Sequence, residues 1–251
     1  MLFAKLKVNS FLASVMLLAG SAAIAQGITL GVTPILTRIF SPEEFGFLAV
    51  FTSALTILLA VSSLRYEFAL PKVRNVKQAQ TLVFLCLWVL LVSGFFVFVF
   101  VVLTTSSGFV FWGDQGLIWF LPIGVIFAGA FQVANYWAVR GKSFNDLAKA
   151  NVSRSLFQAV TQVGLGLAGI GVIALVAGYV LSQAVGAIKI LSGVIRDTRL
   201  PSYPRLKVVA VRYIRFPLFS MPASVLNVSA LHLTPFLLVY LYGAASAGFF
   251  L

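Results

Sequence analysis

The sequence predicts an all-α, polytopic transmembrane helical bundle, and three observations carry that prediction. The chain is 61% hydrophobic and only 10% charged, with a mean hydropathy of +1.04, whereas a soluble domain carries about 25% charged residues. Its apolar residues fall into long runs, most of them near the roughly 20 residues a helix needs to cross a bilayer. These runs are far longer than a barrel strand and lack strict alternation, which leaves helices as the way to satisfy the backbone in lipid. Seventeen of the 18 Lys and Arg residues lie in alternate gaps between the runs, and only Arg38 falls in the intervening set. Positive loops stay on the cytoplasmic side, so the N-terminus is expected on the cytoplasmic side of the membrane.

The first span is expected from about Ser10 to Leu36. Lys5, Lys7 and the Ala23-Ile24-Ala25 stretch imitate a secretory signal. Cleavage there would leave Gln26 to Leu36, too short to cross, so an uncleaved helix is the favoured reading. Further spans are expected over Phe45 to Leu64, Thr81 to Leu103, Leu117 to Val139, Ser155 to Gly169, Ile170 to Ile188 and Pro217 to Leu241. Spans five and six are short and joined by a tight Gly169-Ile170-Gly171 turn; Arg154 and Lys189 can snorkel to lengthen them. Between Arg196 and Phe216 lies the most basic inner loop. There RLKVVAVRYIRF, if helical, puts Arg205, Arg212 and Arg215 near one face and Leu206, Val209, Ala210 and Tyr213 elsewhere, as an interfacial helix would.

This organisation gives an N-terminal lobe over 1–195, a basic linker over 196–216, and the start of a second lobe over 217–251. Ala247 to Leu251 reads as the opening of an eighth span, so the chain is expected to be a fragment of a longer protein. A weak internal repeat agrees. Thr33-Pro34 matches Thr234-Pro235 at an offset of 201, Gln26 matches Asn227, and with one inserted residue Gly46-Phe47 matches Gly248-Phe249. Six spans return the chain to the inner face, so a second unit would run parallel to the first, as in transporters with parallel repeats.

Polar side chains in spans tend to face a bundle interior or a hydrated cavity. Gln26, Thr29, Thr33 and Thr37 form a helical stripe on span one. Asn151, Ser155, Gln158 and Gln162 form another on span five, beside Arg154. Gln132, Asn135 and Tyr136 precede Arg140 on span four, and Ser220, Ser224, Asn227 and Thr234 mark span seven. Two readings stay open for these stripes: interhelical hydrogen bonding, or the wall of a central cavity. His232, the only histidine, suits a packed hydrogen-bonded role better than a proton relay. All six acidic residues, Glu43, Glu44, Glu67, Asp114, Asp146 and Asp197, fall in loops or at span edges, so no carboxylate is expected at membrane depth.

The sequence offers no metal-ligand cluster, no phosphate-cradling glycine loop and no nucleophile with a histidine at hand. It therefore suggests no cofactor and no enzyme activity. Cys86 is a lone thiol, without the partners a disulfide framework or metal site needs. The net charge of +12 would point to nucleic acid in a soluble protein. Spread over inner loops it points to topology and anionic lipid headgroups instead, so no nucleic acid is expected as a partner.

Several stretches resemble bacterial polysaccharide-biosynthesis flippases, the O-antigen and exopolysaccharide exporters of the multidrug/oligosaccharidyl-lipid/polysaccharide superfamily. Leu36 to Pro71 carries most of the likeness, in Thr37-Arg38, Pro42-Glu43-Glu44-Phe45-Gly46 and Leu64-Arg65-Tyr66-Glu67. Asn135-Tyr136-Trp137 with Arg140, and Tyr213-Ile214-Arg215-Phe216-Pro217, are similar to later stretches of the same family. The resemblance implies two helical lobes around a cavity that opens alternately to each side. It implies transport of an undecaprenyl-diphosphate-linked oligosaccharide for O-antigen, capsule or exopolysaccharide synthesis, with membrane lipids and other polysaccharide-assembly proteins as further partners.

Under that reading Gln26, Thr33, Gln132, Asn135, Asn151, Gln158, Gln162 and Asn227 are cavity candidates for sugar hydroxyls. Arg38, Arg140 and Arg154, with Arg65 at the cytoplasmic edge, are candidates for the diphosphate. Positive-inside anchoring is the favoured reading of these arginines, except Arg38, which breaks the charge rule. A multidrug or cation antiporter of the same superfamily is the alternative, against which the missing membrane carboxylates count. A membrane-bound glycan polymerase or ligase is the second, which would call for a large outer loop.

Overall fold

The structure, a computed structural model, describes residues 2–106, 116–197 and 201–250; side chains are described within these ranges from Val15 onward, Asp197 and Phe250 excepted. Asp114 and Arg199 lie outside the described residues. Those described form an all-α bundle with no strands among them. Six helical stretches are long and apolar enough to cross a membrane: Val15–Ile39, Pro42–Ser62, Val76–Ser106, Leu117–Gly141, Val172–Arg196 and Phe216–Tyr242.

Helix α1 runs unbroken over Leu2–Ile39, through Pro34. Proline cannot donate to the carbonyl one turn back, yet the surrounding turns are braced. Thr29 Oγ1 donates to Ala25 O (3.1 Å) and Thr33 Oγ1 to Thr29 O (2.8 Å). Helix α2, Pro42–Ser62, opens on a reciprocal cap: Ser41 N–H donates to Glu44 Oε2 (2.8 Å) and Glu44 N–H to Ser41 Oγ (3.3 Å). Pro42 at the first helical position costs no hydrogen bond there. The Ser-Pro-Glu-Glu stretch is thus a helix start. Helix α2 ends where Leu64 and Arg65 take left-handed φ of 50° and 58°, and a 3₁₀ turn, Tyr66–Lys72, leads on.

Helix α3, Val76–Ser106, is the most apolar of the six spans. It buries Leu82, Val83, Cys86 and Leu90 while exposing Trp88, Phe95, Phe96 and Phe100, a division suited to lipid on one side. Helix α4, Phe120–Gly141, ends on Lys142 in the left-handed region (φ 55°). Helix α5 spans Phe144–Leu167, a correction to the expected Ser155 start. Its first three turns are polar, which hid them from a search for apolar runs, and α5 is accordingly not among the six apolar spans. It is 24 residues long, about 36 Å, and packs between α1 and α6. Helix α6, Val172–Asp197, follows a tight turn in which Gly169 and Gly171 have φ of 75° and 68°.

Helix α7, Tyr203–Arg212, is the predicted basic helix. Its apolar side packs on α3 and the 3₁₀ turn rather than on lipid alone, with Val209 buried and Tyr66 Oη donating to Ala210 O (3.2 Å). The seventh span is broken, where one helix was expected. A π turn, Phe216–Ser220, leads to α8, Met221–His232, and α9, Thr234–Tyr242, follows a break at Leu233. Pro217, Pro222 and Pro235 each remove a backbone donor and fall in the first two positions of the π turn, α8 and α9, where that loss costs least.

Basic residues gather at one end. Arg140 donates from Nε to Val73 O (3.0 Å) and from Nη2 to Arg74 O (3.1 Å), and Lys72 lies 5.2 Å from the Phe216 ring. These contacts join the 3₁₀ turn, the loop before α3, the end of α4 and the approach to α8. At the opposite end, α10, Ala244–Phe250, crosses the start of α2. A Cβ on Gly46 would collide with the Ala244 carbonyl, and one on Gly248 with the Pro42 carbonyl. These are one contact seen from both sides, because an offset of 202 carries Pro42 to Ala244 and Gly46 to Gly248. The repeat visible in sequence therefore meets itself across a pseudo-twofold crossing.

Glycine is required there for space alone. Gly46→Ala is expected to lower stability by about 1–3 kcal/mol, because backbone cannot yield as a side chain can. Gly164→Ala, whose Cβ would meet open space inside α5, should instead raise it by about 0.4–1 kcal/mol. Thermal melting of the two variants in detergent checks the pair, and equal shifts would remove the close crossing.

Candidate functional site

A cavity of 740 Å³ opens between α1, α2, α5, α6 and α10. The polar stripe of α1 supplies Gln26, Thr29, Thr33 and Thr37, and that of α5 supplies Gln158 and Gln162. Helix α2 adds Thr52, and α6 adds Tyr179. Pro42, Phe45, Gly248 and Phe249 border it at the end away from the basic loops. The α1 stripe and the outer half of the α5 stripe therefore share one wall.

The hydroxyls have a defined state. Those of Thr29, Thr33 and Thr52 donate to carbonyls within their own helices, so toward the cavity they act as acceptors. Gln162 is buried and donates from Nε2 to Leu175 O (2.9 Å). Gly178 makes its room, since a Cβ there would lie 2.5 Å from Gln162 Cγ. Gln158, half-buried, is the freer amide. Acceptors on α1 and amides on α5 together suit a ligand rich in hydroxyl groups.

One turn below Gln158, Arg154 extends toward α6. Its Nη1 reaches Gln183 Oε1 at 3.4 Å and its guanidinium lies 5.1 Å from the Phe131 ring. Its Nε is buried with no hydrogen-bond partner. A cation thus stands behind the cavity on the basic side, tied to α6 through Gln183, one turn from the cavity-lining Tyr179.

Other candidates lie elsewhere. Arg38 is exposed at the end of α1, near the cavity but outside its wall. Asn151, Gln132 and Asn135 are half-buried on α5 and α4 and do not line it. Arg140 is engaged by two carbonyls and stacks near Trp137, 5.5 Å from the ring. Asn227 is exposed on α8, as is Thr234 on α9, and His232 is half-buried; none of the three lines the cavity. Arg65 is buried at the basic end.

A model of the polysaccharide biosynthesis protein family matches residues 35–251. The chain belongs to that family. The matched stretch includes the cavity-lining part of α1 from Leu36 onward, all of α2, α5 and α6, and the α2–α10 crossing. No curated protein and no solved structure matches the chain.

In this polysaccharide biosynthesis protein the sequence reading missed Thr52, Tyr179 and Gln183. Tyr179, Ser182 and Gln183 lie at helical spacing in an otherwise apolar run, which was the available signal. It also missed the state of Glu67. Expected at a loop, that carboxylate is fully buried beneath the 3₁₀ turn. Ser63 Oγ donates to its Oε2 (2.5 Å), and Arg65 Nη1 stands 3.6 Å from Oε1, too far for a hydrogen bond. Arg65 Nε and Glu67 Oε1 are both without a hydrogen-bond partner.

Burial pushes the Glu67 carboxyl above the usual carboxylate range, outweighing the Ser63 bond and the Arg65 charge, which pull it down. A folded value above the unfolded one means the native state holds this proton more tightly. The stabilisation is full below the unfolded value, about pH 4, and is lost as pH rises through the folded value. Glu67→Gln cannot titrate, so its melting temperature relative to the parent should improve as pH rises from about 4 to about 8. A parent–variant difference independent of pH would mean that folding does not shift the Glu67 carboxyl.

Proposed function

We propose that this chain forms the first lobe of a flippase, together with the start of the second. It would carry an undecaprenyl-diphosphate-linked oligosaccharide across the bacterial inner membrane by alternating access, without acting as an enzyme. The observation that carries this reading is the 740 Å³ cavity walled by hydroxyls and amides from α1, α2, α5 and α6, in a member of the polysaccharide biosynthesis family. Sugar hydroxyls are donors and acceptors at once, and such a wall offers them both. Arg154, behind the wall toward the basic end, is the cation placed to attract the diphosphate as the headgroup enters.

The charge pattern puts the basic end in the cytoplasm. The α2–α10 crossing then borders the outer end of the cavity. No carboxylate is among the described residues lining the cavity, which favours a sugar over a cation as its occupant.

The test is flipping in liposomes. Full-length protein is reconstituted with a fluorescent undecaprenyl-diphosphate oligosaccharide, and an impermeant quencher reports how fast protected label reaches the outer leaflet. The parent should accelerate that step over empty liposomes. The pair Thr33→Val and Gln158→Leu, near-isosteric but without hydrogen-bonding capacity, should slow it about tenfold, the worth of two modest hydrogen bonds. Unchanged flipping by the pair would remove the cavity from the transport path.

A further inference from the structure

We infer that a groove between α1, α5 and α6, on the opposite face of α1 from the cavity, binds an anionic glycerophospholipid. The inference rests on the membrane topology and is independent of the transport reading. The groove holds 480 Å³ and is built from Met16, Gly20 and Ile24 of α1, Lys149 and Ser153 of α5, and Lys189 of α6. At 100° per residue, these α1 positions lie about half a turn from Gln26, Thr29 and Thr33.

The two faces of α5 explain why lipid is the occupant. One face carries Asn151, Ser155, Gln158 and Gln162 toward the interior. The other continues from Lys149 and Ser153 through Leu156, Val160 and Leu167, which are 53%, 64% and 74% exposed. Exposed apolar residues of that size along a spanning helix face hydrocarbon. Beside the groove, Ile188 on α6 is 66% exposed and Met16 on α1 is 67% exposed. The groove is therefore a notch in the lipid-facing surface at the basic end, with an apolar wall running toward the membrane interior.

Its charge specifies the headgroup. Lys189 Nζ donates to Ser153 Oγ (2.8 Å), and Ser153 Oγ donates in turn to Lys149 O (2.6 Å). An ammonium has three donors, so Lys189 keeps two. Lys149 is exposed on the same rim. The groove lining includes no carboxylate, and the only ion pair among the described residues is Arg65–Glu67. Two uncompensated ammonium groups above an apolar notch match a phosphate joined to an acyl chain. Basic pockets between helices on the cytoplasmic side bind such headgroups. Gly20 leaves the chain its space, because a Cβ there would meet nothing within 4 Å.

The full-length protein, purified in detergent, is titrated with phosphatidylglycerol and separately with phosphatidylcholine, and retained lipid is counted by native mass spectrometry. The first phosphatidylglycerol is expected to bind about tenfold more tightly than phosphatidylcholine. Lys149→Ala with Lys189→Ala should abolish that preference, and Lys77→Ala with Lys207→Ala, which removes equal charge from the same end, should keep it. Gly20→Leu, which fills the notch and leaves both lysines, should weaken phosphatidylglycerol binding. Inorganic phosphate in millimolar excess should not displace the lipid. A parent without preference, a preference surviving in the Lys149/Lys189 variant, undiminished binding by Gly20→Leu, or displacement by phosphate would each overturn the site.

Discussion

Hydrocarbon cannot solvate a row of amides and a guanidinium, and that constraint decides where α5 goes. Asn151, Arg154, Ser155, Gln158 and Gln162 lie along one side of this helix, and polar side chains in a membrane turn to protein or to water. Helix α5 therefore sits between α1 and α6, with its polar side inward and Leu156, Val160 and Leu167 outward. Once α5 is so placed, α1 must bring its own threonine stripe to the same side, and the cavity is the space these two stripes share. Gln162 closes against Leu175 O, while Gln158 and the threonines stay open to the interior.

The same cost of charge in lipid organises the basic end. Arg140 does not reach into the bundle; it ties α4 to the loop before α3 by bonding the Val73 and Arg74 carbonyls. Arg65 and Glu67 fold beneath the 3₁₀ turn with Ser63, and α7 covers that turn through Tyr66 and Val209. An arginine at the end of a span can thus mark topology and brace structure at once. At the other end the close approach is made by backbone, Gly46 against Ala244 and Gly248 against Pro42.

Much of this was legible in sequence because the physics is local. Gly169-Ile170-Gly171 announces a turn, the spacing of Thr29 and Thr33 a face of span one, and that of Gln158 and Gln162 a face of span five. What escaped depends on partners distant in the chain. The carbonyls that hold Arg140 lie 66 and 67 residues away. Glu67 reads as a loop residue until the helices close over it. The start of α5 was missed because its polarity resembles a loop when its neighbours are unknown. Asn227 and the rest of the α8 stripe carry the same signal as α1, yet α8 does not line this cavity, so periodicity names a face without saying what it meets.

The central claim is that charge asymmetry orients the bundle, with the basic end and Arg154 toward the cytoplasm and the α2–α10 crossing outside. Cysteine labelling in intact cells tests it directly. Ser106 and Ser143 are both exposed, at the end of α3 and in the turn before α5, and Cys86, the only native cysteine, is buried. An impermeant maleimide should label Ser106→Cys from outside and should reach Ser143→Cys only after the membrane is permeabilised. Labelling of Ser143→Cys with protection of Ser106→Cys would invert the bundle and contradict the account.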